Sequence, residues 1–533
     1  TIRGDEHITY INNSPDTLRA PVIKLILNIH KPGAVRYGLA DSTYLTNGIV
    51  IDAFSQNGQA RPFPSSGAVP TWRPFRLDKP LAPHDSVELT FKWHYQISLE
   101  SNREGMIDST TYFLAYFYPR VAVYDDYNGW DRLDFTDQQE FYNDAVLQPA
   151  YAKKLAASMT TDEILHIATK EDLAKQRVTR QNPTNSWVWT ANDITDVTAN
   201  VSDHYVWDAS SVIVDDATKR RASVQSAFND TAKDFHRMVE FGRHALDWLS
   251  HKWPGVPYPF PKTTIVQGYA DMEYPMMVND GTNEDPIFSR FVAEHEIAHS
   301  WFPFYMGINE ARYAFMDEGW ATTFELLIGR EDLGTERAEG FYKQFRVNGY
   351  IYDPSQEEDL PIITPANVLR NAAYGNNAYG KPSLAYLAVK DMLGDDLFRK
   401  CLHEYMARWH GKHPIPWDFF YTFNDVAGKN MNWFWTNWFF TNNYIDLAID
   451  KVEGNNVFVT NIGGFAIPFD VVFHYTDGSS DTRHQTPAIW AANEKQAQIN
   501  IAPAGGKKLL SVELKGGIYV DADISNNSWK APQ

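Results

Sequence analysis

Cysteine is nearly missing. Among 533 residues only Cys401 is one, so no disulfide can close within the chain. A lone cysteine in a segment that reads as an amphipathic helix is expected to be a small buried apolar residue. No stretch approaches the run of about 20 apolar residues that a spanning helix needs, so no transmembrane segment is expected. Basic residues are outnumbered, 48 Lys and Arg against 67 Asp and Glu, which leaves a formal net charge of -19. With no clustered Lys/Arg run to offset it, that balance excludes a phosphate-binding surface and nucleic acid as a partner. Internal repeats and low-complexity segments are absent as well. What is present, 44% hydrophobic and 22% charged residues with aromatics throughout, is the composition of a folded globular chain. A length of 533 residues exceeds what one core organises, so two to four domains are expected.

Three textures divide the chain into a multidomain α+β protein. Residues 1–207 are rich in branched and aromatic runs, such as 22–27, 86–97 and 113–124, and predict a β-rich domain. A helical insertion is expected after Ala145, with Thr160 and Glu163 as a capping box for a segment ending near Lys175. From about Arg220 the period turns helical, Val224, Phe228, Phe235, Val239, Leu246 and Leu249 forming one apolar stripe that stops at Trp253-Pro254-Gly255. A strand over Thr263 to Gln267 and then helices to about Phe440 complete a mainly α domain over 208–445. The aromatic groups Trp433-Phe434-Trp435 and Trp438-Phe439-Phe440 are expected in its core. Short strands split by Asp477-Gly478 and Gly505-Gly506 predict a small β-sandwich over 446–533.

Chemistry concentrates in Glu294-His295-Glu296-Ile297-Ala298-His299-Ser300, within an apolar-rich helical run from about Ile287 to Phe302. Residues four apart share a helix face, so His295 and His299 can aim imidazole nitrogens at one ion. Zinc takes such nitrogens and, when catalytic, keeps one position open for water. Glu296, beside the first ligand, can reach that water as general base. Glu318, eighteen intervening residues after His299, opens a second helical run within Asp317-Glu318-Gly319-Trp320-Ala321 and completes a two-His, one-Glu set for one Zn2+ per chain. Glu325, seven residues further on the same face, is expected to orient a ligand imidazole as an acceptor.

H-E-x-x-H, eighteen residues and then Glu within D/N-E-G resembles the gluzincin metallo-aminopeptidases, the alanyl and puromycin-sensitive aminopeptidases of peptidase family M1. The resemblance covers nearly the whole chain and implies a β-rich N-terminal domain, a thermolysin-like catalytic domain over 208–445 and a small β-sandwich. The family's large C-terminal helical domain has no counterpart in these residues, which implies an open approach for peptides of various lengths. Two further motifs match. The family's G-x-M-E-N loop, whose glutamate binds the substrate's free α-amine, corresponds to Ala270-Asp271-Met272-Glu273-Tyr274-Pro275, with Ala270 for glycine and Tyr274 for asparagine. Met272, Tyr274 and Met276 suggest apolar walls around it. The family's Tyr-x-Lys-Gly, whose tyrosine hydroxyl donates to the oxyanion, corresponds to Tyr379-Gly380-Lys381-Pro382, with proline for glycine. The second amine anchor, a glutamine in relatives, falls in Tyr116-Phe117-Tyr118-Pro119, which offers Tyr116 instead. At Asn143-Asp144-Ala145 relatives carry additional strand sequence.

These residues imply a zinc aminopeptidase acting on peptides with a free N-terminus. Zinc, Glu296 and Tyr379 would do the hydrolysis, and Glu273 with Met272 would hold the substrate. The alternatives are an endopeptidase or other hydrolase on the same zinc centre, and a non-catalytic peptide-binding relative. The second conflicts with the presence of all four zinc-motif residues. The stretch Tyr118 to Asp126 is similar to exported bacterial relatives, so a periplasmic or secreted location is expected. The chain opens inside what reads as a strand, Ile8 to Ile11, which leaves room for an export signal ahead of Thr1.

Overall fold

The computed structural model describes residues 1–36, 39–64, 70–100, 103–135, 162–169, 191–351, 359–500 and 507–532. The fold is mixed α+β, with β-rich N-terminal sheets, a helical central region over 286–440 and C-terminal sheets. Packing divides it into two compact units, Thr1–Arg312 with His410–Pro414, and Tyr313–Trp409 with Ile415–Gln533.

The first unit begins with strand Ile2–Ile11, whose side chains alternate between half-buried and exposed. It lies antiparallel to Ser86–Tyr95, from Ile2 opposite Tyr95 to Ile11 opposite Ser86. That partner alternates in the same way, burying Val87, Leu89, Phe91, Trp93 and Tyr95. A strand's period of two therefore places one apolar face on the core, where Phe54 stacks 4.8 Å from Phe91. The run 22–27 is strand only over Val22–Lys24 and then turns into a short 3-10 helix, Ile26–His30. A six-stranded sheet follows, in the spatial order 165–168, 206–215, 220–228, 262–267, 277–280 and 272–274.

That sheet corrects two expectations. Arg220–Phe228 is a strand, and the helix begins only at Met238 and runs to His251. Val224 and Phe228 stand four apart, a spacing that returns to the same face of a strand as well as of a helix. In Arg220–Phe228 the paired neighbours on both sides decide the matter. The helical insertion is also interrupted. Leu165–Ala168 is an edge strand paired with 207–209, whereas Thr160, Asn143 to Ala145 and residues 170–175 lie outside the described residues.

In the second unit, helix Glu318–Leu333 packs against Lys381–Leu393 through Trp320 stacked on Tyr386, 4.1 Å apart and 10° from parallel. Phe434, Trp435, Trp438 and Phe439 are buried as expected, with Phe419, Phe420 and Phe423 beside them; Phe440 is exposed and Trp433 half-buried, unlike the expectation. Cys401 is buried. The C-terminal strands form two antiparallel sheets, 447–453, 456–461 and 496–500 in one, 480–485, 469–475, 509–515 and 528–530 in the other. Gly505-Gly506 falls outside the described residues. Among those residues no helix is long and apolar enough to cross a membrane.

Candidate metal centre

Helix Pro286–Ala298 starts where sequence chemistry tells it to. The Asp285 carboxylate caps it by accepting from the Ile287 amide at 2.9 Å. Pro286 sits at the first helical position, where its missing N–H costs nothing. The apolar face of the helix packs inward, so its last turn is buried from Ala293 to Ala298. His295 lies in that turn and His299 directly after it, with ring centres 4.9 Å apart. The partial negative charge at a helix C-terminus favours a cation there. The chain then leaves helical geometry at Phe302, with φ -133 and ψ 106. This turn brings the Phe302 carbonyl to 3.1 Å from His299 Nδ1. A proton on Nδ1 donated to that carbonyl leaves Nε2 the lone pair that a metal takes.

The Met272–Glu273–Tyr274 segment, expected as a loop, is an edge strand. It pairs antiparallel with Met277–Asp280, Glu273 standing opposite Val278. Pairing carries the buried Glu273 to 3.8 Å from His299 Nδ1. One oxygen from Glu273, one from Glu296 and a nitrogen of His299 lie within 4.8 Å of one another. Met272 is buried with Arg103 Nη1 at 2.8 Å from its sulfur. Tyr274, at the asparagine position of the resembled motif, packs its ring on Phe113 at 5.1 Å and on Tyr116 at 5.8 Å. Its hydroxyl donates to the Arg103 carbonyl at 2.5 Å. Tyr116 is itself buried, so it packs against Tyr274 rather than standing open. Asp280, which no motif singled out, is wholly enclosed on the neighbouring strand. Burial holds its carboxyl well above the usual range, and the negative charges of Glu296, Asp271 and Asp234 add to the effect.

In the second unit Glu318 is the first residue of helix Glu318–Leu333, and both Glu318 and Glu325 are buried on it. The Tyr379 hydroxyl donates to Glu318 Oε1 at 2.6 Å. Glu325, expected to hold an imidazole, is engaged by Arg346, whose Nη2 donates to its Oε2 at 2.6 Å. No motif or spacing in the sequence marks Arg346. Burial alone would lower the Arg346 pKa, but the Glu325 carboxylate, then Tyr379 and Glu318, outweigh it and keep the guanidinium charged. Lys381 is buried and donates to Asp359 at 2.7 Å and to the Leu360 carbonyl at 2.9 Å. Pro382, which replaces a glycine of the resembled motif, lies in the first turn of Lys381–Leu393, where proline is tolerated.

His295 and His299 give the first unit two buried imidazoles, and Glu318 gives the second a buried carboxylate, the donor types of a two-His, one-Glu metal set. This donor set suits a borderline cation such as zinc. Residues 238–438 match the peptidase family M1 domain. Among solved structures the fold is similar to that of aminopeptidase A from Legionella pneumophila, crystallised in complex with aspartic acid, at TM-score 0.57 and 10% identity. That match covers 96% of this chain, which spans 56% of the Legionella protein. An M1 zinc metallopeptidase from Deinococcus radiodurans, solved in a mutant form, aligns at 15% identity and TM-score 0.46 over 82% of this chain and 89% of that one.

Proposed function

We propose that the protein is a zinc-dependent aminopeptidase, a reading supported by the match of residues 238–438 to the peptidase family M1 domain. The observation that carries the exopeptidase part is Glu273, a buried carboxylate 3.8 Å from His299 on an edge strand. A carboxylate so close to the metal-binding histidines suits a substrate's free ammonium group, and so fixes cleavage after the first residue.

In this reading His295, His299 and Glu318 hold one zinc ion. Zinc supplies Lewis acidity there, polarising the scissile carbonyl and lowering the pKa of a water. Glu296 accepts the proton of the attacking water and returns it to the leaving amine. The Tyr379 hydroxyl donates to the carbonyl oxygen as negative charge develops on it. Glu273 pairs with the α-ammonium, and Met272 forms apolar wall beside it.

The test is a panel of aminoacyl chromogenic substrates, each with a free or acetylated N-terminus, assayed before and after chelation and zinc restoration. Turnover should require metal and a free amine. Glu296→Gln should bind zinc and lose turnover. Equal cleavage of acetylated and free substrates would remove Glu273 from its role. A second reading, endopeptidase cleavage, draws on Tyr274, whose hydroxyl is occupied by the Arg103 carbonyl and offers no amide oxygen to an amine. That reading predicts turnover of acetylated peptides in the same panel.

A further inference from the structure

Tyr379 belongs to a chain of contacts that lies wholly within the second unit. While its hydroxyl donates to Glu318, its ring face carries the guanidinium carbon of Arg346, 5.0 Å from the ring centre. Glu325 fixes that guanidinium with two oxygens, Oε2 at 2.6 Å from Nη2 and Oε1 at 3.3 Å from Nε. The pair is nearly closed to solvent, with side-chain exposures of 18% for Arg346 and 2% for Glu325. The main chains meet as well. A Cβ on Gly380 would come 1.9 Å from the Arg346 carbonyl oxygen, so the residue after Tyr379 has no room for a side chain. Both segments, Lys343–Val347 and Asn376–Gly380, are π-helical turns, an uncommon local widening that recurs at functional sites.

A cation over an aromatic face is attracted by the ring's electron density, most strongly where water is excluded. Drawing that density away from a phenol makes its O–H a better hydrogen-bond donor. Clamping the ring also fixes where the hydroxyl points, and a donor aimed at developing charge loses effect when its aim is loose.

Resting on the reading of Tyr379 given above, we propose that Arg346 is the positioning residue for the Tyr379 hydroxyl, and that Glu325 acts by holding Arg346. A plain scaffold role for the ion pair would affect folding and leave the chemical step alone. The two roles separate in a double-mutant cycle of wild type, Tyr379→Phe, Arg346→Met and the double variant. kcat and KM are measured on a free-amine aminoacyl substrate, with thermal unfolding measured alongside.

Arg346→Met should lower kcat about tenfold with KM changed less than about twofold, the signature of an interaction made in the transition state. In the Tyr379→Phe background the same substitution should change kcat less than about twofold, because the hydroxyl it positions is gone. Arg346→Lys, which keeps the charge, should recover part of the loss. An unchanged kcat in Arg346→Met, or an equal loss in both backgrounds, overturns the proposal. Should Arg346→Met fail to fold, the paired change Glu325→Gln with Arg346→Gln removes both charges together and enters the same cycle under the same criteria. If Tyr379→Phe itself leaves kcat unchanged, the reading of Tyr379 falls and this proposal with it. If Tyr379→Phe is impaired and the Arg346 variants are not, only this proposal falls.

Discussion

Adding a single methyl to Gly319 should disturb the candidate metal centre without touching a ligand. Gly319 follows Glu318 at the start of helix Glu318–Leu333, facing Lys381–Leu393. A Cβ there would lie 2.9 Å from Pro382 Cβ, 3.0 Å from Pro382 Cγ and 3.0 Å from Tyr386 Cε2. Carbon atoms rest about 3.5–4.0 Å apart, so the overlap is about 0.5–1 Å. Neither neighbour can give way easily. Pro382 is a ring in the first turn of its helix, and Tyr386 is held by its stack on Trp320 and by donation to the Phe315 carbonyl at 2.9 Å. Overpacking of this kind costs about 1–3 kcal/mol, and the helix propensity of alanine offsets about 1 kcal/mol. Three contacts with fixed ring atoms favour the upper part of that range, so Gly319→Ala should lose about 1–2 kcal/mol net and lower Tm by roughly 2–6 °C. Separation of the two helices also moves Glu318, so zinc affinity should fall about tenfold, as it does when the support of a ligand is lost. Gly329→Ala, on the same helix, places its methyl 3.5 Å from Ala338 Cβ, an ordinary contact. It should be neutral or stabilise by up to about 1 kcal/mol, with zinc affinity unchanged. Thermal unfolding and competitive zinc titration of both variants decide the matter. Equal behaviour of the two, or an unaltered Gly319→Ala, would refute the packing argument.

Asp196→Ala should cost about 3–5 kcal/mol in denaturant unfolding, because Arg120 Nη1 sits 2.5 Å from Asp196 Oδ2 with 0% and 6% of the side chains exposed. A loss under about 1 kcal/mol would mean that the Arg120 charge is compensated elsewhere. His484 donates from Nδ1 to Asp470 at 2.7 Å and from Nε2 to Asp391 at 2.9 Å. Partial burial lowers its pKa, but the two carboxylates outweigh that and raise it. A raised folded pKa contributes stability below the unfolded value of about 6.5 and loses it as pH climbs through the folded one. The Tm difference between wild type and His484→Gln should therefore be largest near pH 6 and shrink toward about pH 9; a constant difference would count against the ion pairs. Chelation should abolish turnover and lower Tm reversibly, since a ligand at about a thousand times its Kd contributes about 4 kcal/mol to the folded state. A Tm indifferent to chelator and zinc would argue against a bound ion.

Local features carry the sequence reading, and long-range ones limit it. His295 and His299 are legible because a spacing of four residues is settled within one helix, and Asp285-Pro286 announces where that helix begins. The alternation of Ser86 to Tyr95 is equally local. Arg220–Phe228 misleads because its apolar residues fit both periods, and only pairing with 206–215 and 262–267 chooses between them. Met272 to Tyr274 looks like a loop because three residues are too few to show a period. Its strand character comes from Met277–Asp280 beside it.

Glu325 shows where spacing stops informing. It stands two turns after Glu318 on the same helix and is buried there. The identity of its partner depends on a segment more than twenty residues away in sequence, where Arg346 comes into reach through a π-helical turn. An arginine there carries no motif, and any of the chain's 48 basic residues is an equal candidate on sequence grounds. A buried carboxylate nevertheless demands a partner, because an uncompensated one costs several kcal/mol (roughly 3–5). The question that Glu325 poses from sequence is therefore which cation answers it. Once the answer is Arg346, the contact with Tyr379 follows from geometry: a guanidinium pinned by a carboxylate along one edge still presents its flat face, and the Tyr379 ring lies against that cation at 5.0 Å.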